Sequence, residues 1–151
     1  IYHLINVMGN YQIDKKKVWK TPTTLVLELF TKYHKGAILK TNVKTNKFIS
    51  PRLGKQPSYK NNKMIDASAT SYKNEICLSV VNKSENKNIE LKCPYLDKIN
   101  QTFTINGENK TDLNSFNKKN KVKIKKNILK YNLNKITLPP HSINLIIFKN
   151  C

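Results

Sequence analysis

Hydrolysis of a glycoside or an ester requires two carboxylates converging on one cleft, or a nucleophile beside a base. The 9 acidic side chains of this 151-residue chain are instead scattered. Asp14 falls in a charged stretch, Glu28 in a helical segment, and Asp66, Glu75, Glu85, Glu90, Asp97, Glu108 and Asp112 on strands or turns. No two of them suggest a shared cleft, and each reads as a surface charge in a lysine-rich field. His3, His34 and His141 are equally isolated, and His34, in a helix's last turn, suits the negative end of the helix dipole. Cys77, Cys93 and Cys151 have neither paired spacing nor histidine partners, which argues against zinc. With 4 glycines the chain has no glycine-rich phosphate loop. Trp19, Tyr59, Tyr72 and Tyr95 have faces that stack on sugar rings, yet isolated aromatics in a β domain normally pack the core or its rim. The residues therefore point to no self-contained catalytic centre, no metal and no cofactor.

The elements that would position these side chains are one helix and a series of strands. Leu25, Val26, Leu29, Phe30 and Tyr33 recur on one side at helical spacing, with Thr21 at the N-cap, Pro22 at the first helical position and Gly36 fitting the C′ position. Leu27 adds apolar surface away from that stripe. A short helix that is apolar on two sides is a layer between two bodies. The chain thus reads as the tail of a larger protein, with residues 1–36 ending a domain whose remainder precedes them, and a start at Ile1 agrees. Within them, residues 4–13 form an apolar run suited to a buried strand or a junction, and residues 14–17 a charged loop.

Beyond the helix, strands are expected over 37–43, 47–49, 64–72, 75–81, 89–93, 101–105, 122–124 and 143–148. Residues 50–63, with Pro51, Gly54 and Pro57, read as a loop, and 112–120 as a long connection across one end. Strands recurring about every 8–12 residues indicate a sandwich or jelly roll. Alternation puts Ile76, Leu78 and Val80 on one face and Cys77 on the other, while Cys93 shares its face with Ile89 and Leu91. If both apolar faces point inward, Cys77 and Cys93 lie on opposite sides of their sheet and cannot bridge.

The formal charge of +19, from 28 Lys+Arg against 9 Asp+Glu, taken alone suggests nucleic acid. Arg52 is the only arginine, however, and arginine is the side chain that forks onto guanine edges and phosphates. The lysines are also interleaved with asparagines along the whole chain, so a solvated basic surface is the simpler reading. Neither nucleic acid nor membrane is an expected partner, since no apolar run approaches the roughly 18 residues of a membrane span. Sequons at Asn82, Asn100 and Asn109 are near chance in so asparagine-rich a chain.

Five segments occur together in order: Asn6-Val7-Met8-Gly9 followed by Thr21-Pro22-Thr23-Thr24-Leu25; Ile65-Asp66-Ala67-Ser68-Ala69-Thr70; Ile76-Cys77-Leu78-Ser79-Val80-Val81-Asn82; Leu113-Asn114-Ser115-Phe116-Asn117; and Ile136-Thr137-Leu138-Pro139-Pro140-His141-Ser142 with the apolar run after it. This series resembles the C-terminal region of the α-L-arabinofuranosidases of glycoside hydrolase family 51. The resemblance implies a mainly β fold: a jelly-roll-like antiparallel β-sandwich (37–151) preceded by one α-helix, residues 1–36 being the last strand and helix of a (β/α)8 barrel. It implies a retaining glycosidase whose two glutamates stand about 5 Å apart on earlier barrel strands. No residue here matches those glutamates, so the chain by itself is expected to be inactive. A glutamine that touches the sugar in some relatives is replaced by the run Met8-Gly9-Asn10, which leaves Asn10 as the substitute substrate contact.

The implied partners are the barrel half of the same chain, arabinose-containing polysaccharide or oligosaccharide reached through that barrel, and a second copy of the chain. Two other readings stay open. One is a free-standing carbohydrate-binding sandwich, which needs a row of aromatics that Tyr72 and Tyr95 do not form; the other is a basic nucleic-acid module.

Overall fold

The computed structural model describes Ile5 and residues 9–149. Residues 4 and 6–8 of the run at 4–13, together with His3 and Cys151, lie outside them. Its described end is a hairpin, β1 (Tyr11–Asp14) against β2 (Lys17–Lys20), in place of the expected charged loop at 14–17. The turn is Lys15-Lys16, with Lys15 at a positive φ of 50°. Helix α1 (Pro22–Tyr33) follows directly. It starts at Thr21 with Pro22 in its first turn, as expected, but ends earlier than expected. His34 is its C-cap, so Gly36 falls beyond the C′ position. Glycine is needed there for a tertiary reason: φ is +83°, and a Cβ would lie 2.1 Å from the carbonyl oxygen of Ser71.

The strands beyond are β3 (Ala37–Leu39), β4 (Lys47–Ser50), β5 (Tyr59–Lys63), β6 (Ile65–Tyr72), β7 (Glu75–Asn82), β8 (Ile89–Leu91), β9 (Ile99–Asn106), β10 (Lys123–Lys126), β11 (Lys130–Tyr131), β12 (Ile136–Leu138) and β13 (Ser142–Lys149). A six-stranded antiparallel sheet runs β10-β9-β13-β7-β6-β3, and a three-stranded one runs β11-β12-β8. The molecule is a mainly β antiparallel sandwich preceded by one helix. Three expectations are corrected. The loop at 50–63 contains β5, which pairs with β4; its side chains are polar and exposed, so it shows no apolar period. The strand at 37–43 stops at Leu39, after which the chain leaves the sheet and Val43 packs beneath it. Strands β11 and β12 were not foreseen, the first being two exposed residues long.

The six-stranded sheet is buried on both faces, and alternation divides its side chains between two cores. Leu145, Ile147, Phe103, Ile105 and Cys77 face α1, meeting Leu25 and Leu29 from the helix. Ile146, Phe148 and Val80 face the three-stranded sheet, meeting Ile136 and Leu138. This explains the unbroken apolar run of β13: each residue in turn enters one core or the other. Cys77 and Cys93 accordingly lie in different layers, as the alternation indicated, and both are free thiols. Among the described residues no helix is long and apolar enough to cross a membrane.

Candidate functional site

The junction between the N-terminal segment and the sandwich is a polar site built from several elements. It starts at Asn10. The Asn10 carbonyl accepts the Thr21 amide at 3.0 Å, the Thr21 hydroxyl at 2.9 Å and the Thr24 hydroxyl. The threonines of the Thr-Pro-Thr-Thr run thus fasten the helix start to the preceding turn, and Thr21 makes no side-chain bond to the helix amides. The Asn10 side-chain oxygen is buried without a hydrogen-bond partner.

The hairpin β1–β2 then docks on the long connection between β9 and β10, neighbouring strands of the six-stranded sheet. The Trp19 indole donates to the Asn114 carbonyl at 3.0 Å. The Asn114 amide donates to the carbonyls of Lys20 at 3.1 Å and Val122 at 2.9 Å, and its oxygen accepts the Val122 amide at 2.8 Å. Trp19 meets Phe116 edge-on, and Lys17 Nζ lies 4.0 Å from the centre of the Phe116 ring. One buried asparagine therefore satisfies groups from two segments far apart in sequence. Its local motif, Leu113-Asn114-Ser115-Phe116, was visible; its partners were not.

Glu28, Asp66, Glu85, Glu90 and Asp112 are each ion-paired with a lysine. Asp112 departs from the expected surface charge. Its side chain is 3% exposed and bonded to Lys121 Nζ at 2.7 Å, and it accepts the amides of Glu108 at 2.9 Å and Asn109 at 3.1 Å. The Lys121 hydrogen bond and then these amides hold its carboxyl down at about 2. It is a staple that closes a turn, and sequence reasoning missed it because its partners are mostly backbone.

His34 and His141, the histidines among the described residues, have structural partners. His34 stacks on Phe30, with centroids 4.9 Å apart and planes 2° from parallel, and its Nε2 lies 3.2 Å from Ser68 Oγ. The dipole expectation for His34 is thus joined by two direct partners. The His141 amide donates to Ser84 at 2.8 Å, and its ring nitrogens lie 2.9 Å from the Glu85 carbonyl and 3.3 Å from that of Gly107. Among the described residues no group of histidines, cysteines and carboxylates could hold a metal ion. Burial pushes the Cys77 thiol up to about 12, with Glu75 adding to it, which leaves it a poor nucleophile. The exposed tyrosines among the described residues do not form a row on one strand: Tyr59 lies in β5, Tyr72 ends β6, Tyr131 ends β11, and Tyr95 precedes a short 3₁₀ turn at Leu96–Lys98.

A family model described as "Alpha-L-arabinofuranosidase C-terminal domain" matches residues 3–142. No curated protein matches the sequence. Among solved structures, the fold resembles part of a thermostable GH51 alpha-L-arabinofuranosidase from Thermotoga petrophila RKU-1, with TM-score 0.82 and 21% identity over 97% of this chain and 32% of that one. An alpha-L-arabinofuranosidase from Thermotoga maritima, solved as an arabinose complex, gives TM-score 0.84 and 19% identity over 98% of this chain and 33% of that one. A family 51 alpha-L-arabinofuranosidase from Bifidobacterium longum gives 0.82 and 16%, over 99% and 29%. The chain spans about a third of the length of these structures.

Proposed function

This chain belongs to the alpha-L-arabinofuranosidase C-terminal domain family, and on that premise we propose that it is the non-catalytic end of a retaining glycoside hydrolase. The parent enzyme releases terminal arabinofuranose from arabinan- or arabinoxylan-type glycosides. Its two glutamates, about 5 Å apart in a retaining enzyme, belong to a (β/α)8 barrel that precedes this chain in the parent. Residues 1–36 are that barrel's last strand and helix, and residues 37–151 are the sandwich.

The observation that carries this reading is the double anchorage of α1. Leu25 and Leu29 are buried against the six-stranded sheet, while the first turn is tied to Asn10. The outward side, with Thr23, Leu27 and Thr31 exposed, is left for the barrel. The sandwich thus roots the barrel's closing unit. Asn10 is the one residue of this chain assigned toward the sugar, because barrel active sites sit at the C-terminal ends of their strands.

The test is turnover of an aryl α-L-arabinofuranoside. The 151-residue chain should release no aglycone, whereas a chain extended upstream through its own reading frame should be active. Turnover by the shorter chain, or an upstream frame lacking βα repeats over about 250 residues, would refute the reading.

A further inference from the structure

Strands β4 and β5 form a two-stranded sheet that pairs with no other strand. No residue from 44 to 64 belongs to either apolar core, so this hairpin is an arm outside the packed sandwich. A two-stranded hairpin with no core of its own is marginal in water. The tip of this one is nevertheless built to a fixed shape. Leu53 and Gln56 exchange backbone hydrogen bonds of 3.2 and 2.9 Å around Gly54-Lys55, with Gly54 at φ +58°. Pro51 and Pro57 flank that turn and restrict the backbone on either side of it. The tip is therefore preorganised before any contact is made.

The arm sets exposed aliphatic groups among uncompensated cations. Leu53, at the tip, is 71% exposed, and Ile49 on β4 is 66% exposed. Lys47, Arg52, Lys55, Lys60 and Lys63 are all exposed, and no acidic residue occurs between Glu28 and Asp66. None of these five side chains pairs with a carboxylate among the described residues. Lys47 lies directly opposite Lys63 across the two strands. Like charges so placed destabilise a strand pair, and an anionic partner turns that repulsion into attraction.

We propose that this arm is a docking surface for an anionic lipid bilayer. Headgroup phosphates meet the lysines, while Leu53 and Ile49 enter the boundary of the acyl chains. A soluble polyanion satisfies the cations but leaves both aliphatic side chains in water. A second copy of this chain is disfavoured twice. It brings the same charge of +19, and a bulge, where Lys60 and Asn61 oppose Ile49, twists the arm's edges away from a further strand. A surface contact needs no spanning segment, so the lack of a long apolar helix among the described residues does not bear on it. Vesicle binding and arabinofuranoside turnover succeed or fail separately.

The experiment is co-sedimentation of the 151-residue chain with two kinds of vesicle. One is phosphatidylcholine alone, the other phosphatidylcholine and phosphatidylglycerol in equal parts, and poly-L-glutamate serves as the soluble competitor. The chain should pellet with the anionic vesicles only, less so as sodium chloride is raised, and an equal charge of poly-L-glutamate should leave most of it bound. Leu53→Ser, at an exposed position, should weaken binding about tenfold. Lys60→Gln with Lys63→Gln should weaken it by about fivefold for each cation lost. Lys123→Gln with Lys126→Gln, exposed on β10 and outside the arm, should have a much smaller effect. No binding to anionic vesicles, equal binding to neutral ones, full displacement by poly-L-glutamate, an unchanged affinity in Leu53→Ser, or equal losses from the two lysine pairs would overturn the proposal.

Discussion

Trp19 donates its indole N–H to the carbonyl of Asn114 at 3.0 Å, joining two positions 95 residues apart. Through that bond the hairpin before the helix and the connection before β10 become one structure. Asn114 is 8% exposed and bonded to both segments. Asn114→Ala should cost about 3 kcal/mol, because it leaves several buried backbone groups unpaired. Trp19→Phe, which removes one bond, should cost about 1 kcal/mol. Urea unfolding measures both, and equal losses would contradict the assigned hierarchy.

Leu29 is 4% exposed and sits between the helix and the sheet. Leu29→Ala should lower stability by about 3 kcal/mol, through lost transfer free energy and a cavity. Leu27→Ala, on the outward side of the same helix, should cost far less in this chain. A denaturant midpoint that moves as much for Leu27 as for Leu29 would show the helix to be differently seated.

Asp112 makes stability depend on acid. Its folded pKa, about 2, lies below its ordinary 3.8, so its contribution is fully present above that ordinary value. The contribution is lost as the pH falls through about 2. Asp112→Asn should therefore be less stable than the parent chain at pH 6, with the gap closing toward pH 2. A gap independent of pH would remove Asp112 from that role.

Cys77 should resist alkylation. It is 3% exposed, and burial raises its thiol to about 12, so little thiolate forms near neutrality. Iodoacetamide at pH 8 should label it only after denaturant is added, as read by peptide mass spectrometry. Because the folded pKa is raised, stability should also fall as the pH rises above the ordinary 9.0 of the thiol toward 12. Rapid labelling in the folded chain would contradict the seating of α1 over this strand.

The strands most legible in the sequence were those with strong apolar content. β6, β7, β9 and β13 were all expected within a few residues of their observed bounds. β5 was hidden because Tyr59-Lys60-Asn61-Asn62-Lys63 has no apolar face and is a strand only by its bonds to β4. The Asp112 staple and the Asn114 clamp were hidden because each works chiefly through backbone groups, which carry no sequence identity.

By itself the sequence determined the period of each apolar segment, hence a single helix followed by antiparallel strands. Periodicity acts locally, so it survives in the order of the residues. Tertiary structure alone decided which face of the six-stranded sheet meets α1 and which asparagine closes the junction at Lys20 and Val122. Those outcomes depend on register and chain crossing, where groups tens of residues apart must satisfy one another's burial and hydrogen bonds at once.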